Sequence, residues 1–161
     1  MRDNALRRQD LEGYDSLPAT ATTTARVGTD FPNFWGQFEA QPQRKWQVEV
    51  VNQLVKFAKL PKGWDSYNAE RFRSDAGMFA LEVLEKVMRP RTPVPQIVPT
   101  ASGGVQLEWH QKGIDLEINI VGPYNCELWY RDHQSGAEPL ALEFSSDFSP
   151  LNIPITQLTN R

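Results

Sequence analysis

Glu108, Asp115, Glu117 and Glu127 are the residues whose types and spacing most readily suggest chemistry. They fall in one stretch, 103–131, that alternates apolar and polar side chains. Val105, Leu107 and Trp109 alternate with Gln106 and Glu108. Ile114, Leu116, Ile118 and Ile120 alternate with Asp115, Glu117 and Asn119. Cys126, Leu128 and Tyr130 alternate with Glu127, Trp129 and Arg131. Period-two alternation predicts three antiparallel strands with one buried face. The carboxylates then share the outer face with Trp129 and Arg131. Such a face can hold a hard divalent cation or attract a basic partner.

The elements that position them can be registered on paper. The residues His110-Gln111-Lys112-Gly113 are expected to form the first turn. That pairs Trp109 with Ile114, Leu107 with Leu116 and Val105 with Ile118, apolar against apolar. It also places Glu108 opposite Asp115, a like-charge pair that costs some stability. Gly122-Pro123-Tyr124-Asn125 is turn chemistry for the second hairpin. There Ile120 faces Cys126, Ile118 faces Leu128 and Leu116 faces Tyr130. On the outer side Asn119 meets Glu127, Glu117 meets Trp129, and Asp115 meets Arg131 as a cross-strand pair.

Known catalytic arrangements do not fit. His110 and His133 are both expected in turns at strand ends, and the single cysteine excludes a thiolate cluster. Asp132-His133-x-Ser135 has the residue types of a triad, but sequence neighbours rarely converge in that geometry and no G-x-S-x-G elbow is present. Gly103-Gly104 lacks the lysine and following helix of a phosphate loop. A sheet face wraps a cation poorly, so the carboxylates read first as a solvated surface. No catalytic residue, metal or cofactor is assigned.

The chain has 161 residues and a net charge of −3, enough for one domain with a real core. Residues 101–161 carry 3 basic and 8 acidic side chains, against 9 and 6 in residues 45–100. An acidic sheet argues against nucleic acid there, since phosphate needs clustered lysine and arginine. Lys56, Lys59, Lys62, Arg71 and Arg73 leave a weak nucleic-acid reading for the helical half, against the plainer one of solvated helix surface. Cys126 falls on the buried register as a small core hydrophobe. No apolar run approaches the ~20 residues of a membrane helix. Met1-Arg2-Asp3-Asn4 lacks a signal-peptide core, so the expected location is cytoplasmic.

Residues 1–38 are expected to form a flexible arm, with low-complexity Ala19-Thr20-Ala21-Thr22-Thr23-Thr24-Ala25. Its segment Phe31–Phe38 holds Phe34 and Trp35, which either cover an apolar edge of their own domain or anchor a partner. Residues 39–161 are expected to be one α+β domain. A helix over Arg44–Leu60 buries Trp46, Val50, Leu54 and Phe57 and stops at Pro61. A second over Ser74–Met88 takes Ser74 as N-cap and buries Ala76, Ala80, Val83, Leu84 and Val87. Gln96–Pro99 reads as an edge strand and Leu140–Phe144 as a further strand. Ser149-Pro150 and Ile153-Pro154 suggest an irregular C-terminus or one short element. The loop with Gly63, Trp64, Asp65, Ser66 and Tyr67 has Asp65 as a local turn acceptor, with Trp64 and Tyr67 pinning it to the core; as loop residues these three are also binding candidates.

Two motifs carry a resemblance. Leu60-Pro61-x-Gly63-Trp64-Asp65-x-Tyr67-x-Ala69 precedes a helix. Pro95, Pro99-Thr100 and Gly103-Gly104-Val105-Gln106-Leu107-Glu108-Trp109 follow later. Together, over residues 50–121, the chain resembles an uncharacterised family of small bacterial proteins with a GWD-x-Y loop and a GG-V-x-L-E-W strand. The resemblance implies a bacterial or phage source and carries no activity with it.

The expected architecture is two-layer: two helices on an antiparallel meander of four to five strands. The expected function is a non-enzymatic interaction module of antitoxin, immunity or assembly-chaperone type. Its surface would be Trp129, Glu117, Glu127 and Arg131 on the sheet, with Phe34 and Trp35 in the arm. The partner would be another protein of basic character or a second copy of the chain. The alternative is a divalent-metal-dependent hydrolase using Glu108, Asp115 and Glu117.

Overall fold

Trp46, Val50 and Leu54 recur at helical spacing and are buried together, and they place helix α1 (Lys45–Phe57) against the core. The computed structural model describes residues 45–161. The arm expected at 1–38, with Phe34 and Trp35, lies outside the described residues. Helix α1 ends at Phe57 rather than Leu60. The chain then tightens, with Lys59 N–H donating to Lys56 O and Leu60 N–H to Phe57 O before Pro61.

Helix α2 (Ser74–Val87) buries Ala76, Phe79, Ala80, Val83 and Leu84. Ser74 is its first helical residue, not its N-cap. Arg73 takes that place in an extended conformation (φ −93°, ψ 119°) because its amide donates to Gly103 O at 2.8 Å. The Asp75 carboxylate accepts from Ala76 N and from the Arg73 guanidinium, so an anion sits in the first turn where the helix dipole favours it.

Five antiparallel strands follow in the order β1 (Gln96–Pro99), β2 (Val105–Gln111), β3 (Ile114–Gly122), β4 (Asn125–Asp132) and β5 (Leu140–Phe144), each beside its sequence neighbour. The alternating residues of β2, β3 and β4 form a continuous buried face, including Trp109, Leu116, Ile118 and Cys126. Burial pushes the Cys126 thiol up to about 12. Trp109 donates its indole N–H to Pro93 O at 2.8 Å, so its one polar atom is satisfied inside the core.

The first hairpin differs from expectation. Gln111 pairs with Ile114, Trp109 with Leu116, Leu107 with Ile118 and Val105 with Ile120. The turn is only Lys112-Gly113, both at positive φ (58° and 72°). Such a turn matches the right-handed strand twist, and it lengthens both strands. Apolar pairing alone cannot separate registers two residues apart, because each keeps every side chain on its own face. The second hairpin has the expected pairs, with an irregularity between Ile120 and Gly122.

A third helix covers the core as well. After a 3-10 turn (Ser149–Leu151), α3 runs over Asn152–Asn160 and buries Ile155 and Leu158 with Leu151. Pro154 sits in its first turn, where a missing N–H leaves no bond unmade. Arg161 clamps the 5% exposed Asp132 with two hydrogen bonds of 2.8 and 2.6 Å. The result is an α+β, two-layer arrangement with helices on one face of the sheet and, among the described residues, no element over the other.

Candidate functional site

The outer face is an ordered grid because strand pairing places its side chains in rows. One row runs Gln106, Asn119, Glu127, Glu143. The next runs Glu108, Glu117, Trp129, Ala141. The third runs His110, Asp115, Arg131. Glu108 therefore faces Glu117, not Asp115, and Glu127 faces Glu143. Like charges directly opposite are unfavourable, and the face carries two such pairs.

A trough of about 710 Å³ opens over the first two rows. Half-buried Trp129 lines it, and neighbouring Ala141 leaves the space that a larger side chain would fill. Glu117, Glu127, Glu143 and Asn119 supply its polar lining, and Thr100 closes one end. Among the described residues no lysine or arginine lines it. Each of its amide groups gives one N–H to a neighbouring carboxylate: Gln106 Nε2 donates to Glu117 Oε2 and Asn119 Nδ2 to Glu127 Oε2, both at 3.0 Å. Asn119 Oδ1 is shielded from solvent and accepts nothing. The trough thus offers acceptors and negative charge around an indole.

Beside it, Asp115 binds two histidines. His110 Nδ1 lies 3.0 Å from Oδ1 and His133 Nε2 lies 2.6 Å from Oδ2. His110 Nε2 also lies 3.7 Å from Glu108 and 3.8 Å from Glu117. The Asp115 hydrogen bond, with these carboxylates, raises the His110 pKa above the ordinary imidazole value. The hydrogen bond from His133, then that from His110, lowers the Asp115 pKa. Asp115 and Arg131 are ladder neighbours, but the expected cross-strand pair is not made; the two Asp115 oxygens face His110 and His133 instead.

His110 was expected in a turn and lies within β2, carried onto the sheet by the two-residue turn. Asp132, His133 and Ser135 do not form a triad: Asp132 is held by Arg161, His133 faces Asp115, and Ser135 Oγ donates to Asp132 O. Among the described residues no group of three or more histidine, cysteine or carboxylate side chains is placed to hold a metal ion.

Trp64, Asp65 and Tyr67 lie away from the trough lining. Asp65 Oδ1 accepts from Tyr67 N and Ala69 N at 2.9 and 3.1 Å, the expected local turn role. Tyr67 does not pin the loop; it is 84% exposed. The loop leads instead into a seam with the glycine pair. Glu70 N donates to Ala101 O and Arg73 N to Gly103 O, both at 2.8 Å. A Cβ on Gly103 (φ 84°) would stand 2.5 Å from Arg71 O, and one on Gly104 would stand 2.3 Å from Ile120 O. The two motifs are thus halves of one backbone crossing.

Sequence reasoning placed Trp129, Glu117, Glu127 and Arg131 on one face, and the structure brings the first three to the trough. It missed Glu143, whose signal was its alternation with Leu142 and Phe144. Compared with known protein families, curated proteins and solved structures, the chain matches none. Among the described residues no helix is long and apolar enough to cross a membrane.

Proposed function

We propose that this chain is a non-enzymatic interaction module that docks a basic protein on the outer face of its sheet. The observation that carries the reading is the acidic trough at Trp129, with Glu117, Glu127 and Glu143 around it and, among the described residues, no lining cation. An aromatic anchor in a polar surround is a common interface centre. Glu127 and Glu143 stand opposite each other with no cation between them among the described residues, an unfavourable pairing that does not serve the core, as expected for a face selected to bind. The setting we propose is the cytoplasm of a bacterial or phage-infected cell, with a role of the antitoxin, immunity or assembly-chaperone kind.

Affinity capture of the tagged protein from its native cell, beside Trp129→Ala and Glu117→Lys variants, tests this. One dominant partner should be recovered with the natural chain and lost with both variants. Retention of every partner by both variants would overturn it.

A further inference from the structure

Resting on that reading, we infer that the trough receives the guanidinium of an arginine side chain from the protein partner. The argument begins with what the trough lacks. Each of its two amide groups, on Gln106 and Asn119, already gives one N–H, to Glu117 and Glu127, and no lysine or arginine among the described residues lines it. What remains accessible is the second oxygen of Glu127 and the Glu143 carboxylate, which makes no hydrogen bond or ion pair among the described residues. An occupant must therefore be cationic and rich in donors.

Geometry separates arginine from lysine. The acceptors come from two carboxylates on neighbouring strands, β4 and β5, so they are spread across the trough. Guanidinium carries five N–H donors in a planar fork and can meet several separated acceptors at once. Ammonium offers three donors from one point. Trp129 adds a preference for a flat, weakly hydrated cation, since indole is the best aromatic partner for one. Glu127 and Glu143, directly opposed, are relieved of their repulsion when a cation lies between them.

The test is a titration of the full ¹⁵N-labelled chain with three capped tripeptides, Gly-Arg-Gly, Gly-Lys-Gly and Gly-citrulline-Gly. The Trp129 indole N–H signal, assigned by its loss in Trp129→Phe, should shift saturably with the arginine peptide. The lysine peptide should bind at least several-fold more weakly, and citrulline, the neutral isostere, should give no saturable shift. Glu143→Gln, an exposed edge-strand change that leaves the core intact, should weaken the arginine peptide about five- to tenfold, as loss of a charged hydrogen bond does. Equal responses to arginine and citrulline, equal binding of lysine, or an unaltered affinity in Glu143→Gln would each overturn the inference. A cellular partner lost in Trp129→Ala, together with no arginine response, would sink the arginine assignment and leave the interaction module standing.

Discussion

His133 Nε2 stands 2.6 Å from Asp115 Oδ2, so the turn that follows β4 is fastened to the outer face of β3. His110 reaches the other oxygen of the same carboxylate. The pH dependence of this cluster has a definite sign. The folded-state pKa of His110 is raised, so its contribution is present below 6.5 and lost as pH rises through the higher folded value. That of Asp115 is lowered, so its contribution is present above 3.8 and lost as pH falls through the lower folded value. Both groups are partly exposed, which keeps the effect to between a few tenths and about 1 kcal/mol. Urea unfolding of the natural chain and His110→Gln should differ most between pH 4 and 6.5 and converge on either side.

The seam makes a sharper prediction. Gly103→Ala and Gly104→Ala should each cost about 1–3 kcal/mol, because the new methyl meets backbone oxygen in both cases. Gly136 is the control for Gly103: it also has positive φ (66°) but nothing within 4 Å, so Gly136→Ala should cost only the left-handed strain of about 1–2 kcal/mol and less than Gly103→Ala. Equal losses at the three sites, read by chemical denaturation, would show that crowding at the seam is not what selects these glycines.

The trough predicts an opposition between stability and binding. Glu143→Lys replaces a repulsive cross-strand pair with an attractive one opposite Glu127. It should raise stability by roughly 0.2–1 kcal/mol and abolish recovery of the partner. A variant that gained stability and kept its partner would remove Glu143 from the interface.

Asp132 is held near a pKa of about 2, first by the hydrogen bond from Arg161 and then by the Gln134 amide. A depressed carboxylate stabilises the fold above its ordinary value of 3.8, and that contribution is lost as pH falls toward 2. Arg161→Ala should lower the melting temperature by several degrees at neutral pH, and the gap should close in acid. A gap unchanged down to pH 2 would mean that Arg161 acts through packing alone.

The meander was legible because its alternation is long and the second hairpin has one strong turn signal. The first register slipped by two because polarity repeats every two residues, and only the turn conformation at Lys112-Gly113 decides. At the C-terminus the sequence left open irregular structure or one short element, and Pro154, read as a breaker, lies instead in the first turn of α3, whose helical spacing Leu151, Ile155 and Leu158 carried. The carboxylates and Trp129 could be placed by periodicity. The convergence of His110 and His133 on Asp115 could not, since it depends on how two turns fold back.

The seam also orders events in time. The hairpins of β2, β3 and β4 join sequence neighbours through short turns and can form within microseconds. Pairing Glu70 with Ala101 instead closes a loop of about 30 residues, whose entropy must be met before its hydrogen bonds form. Gly104 can settle against Ile120 only once β3 is in place. The closure at Glu70 and Ala101 is therefore expected to follow the meander; in a stopped-flow comparison with the natural chain, that order requires Gly103→Ala to change the unfolding rate rather than the folding rate.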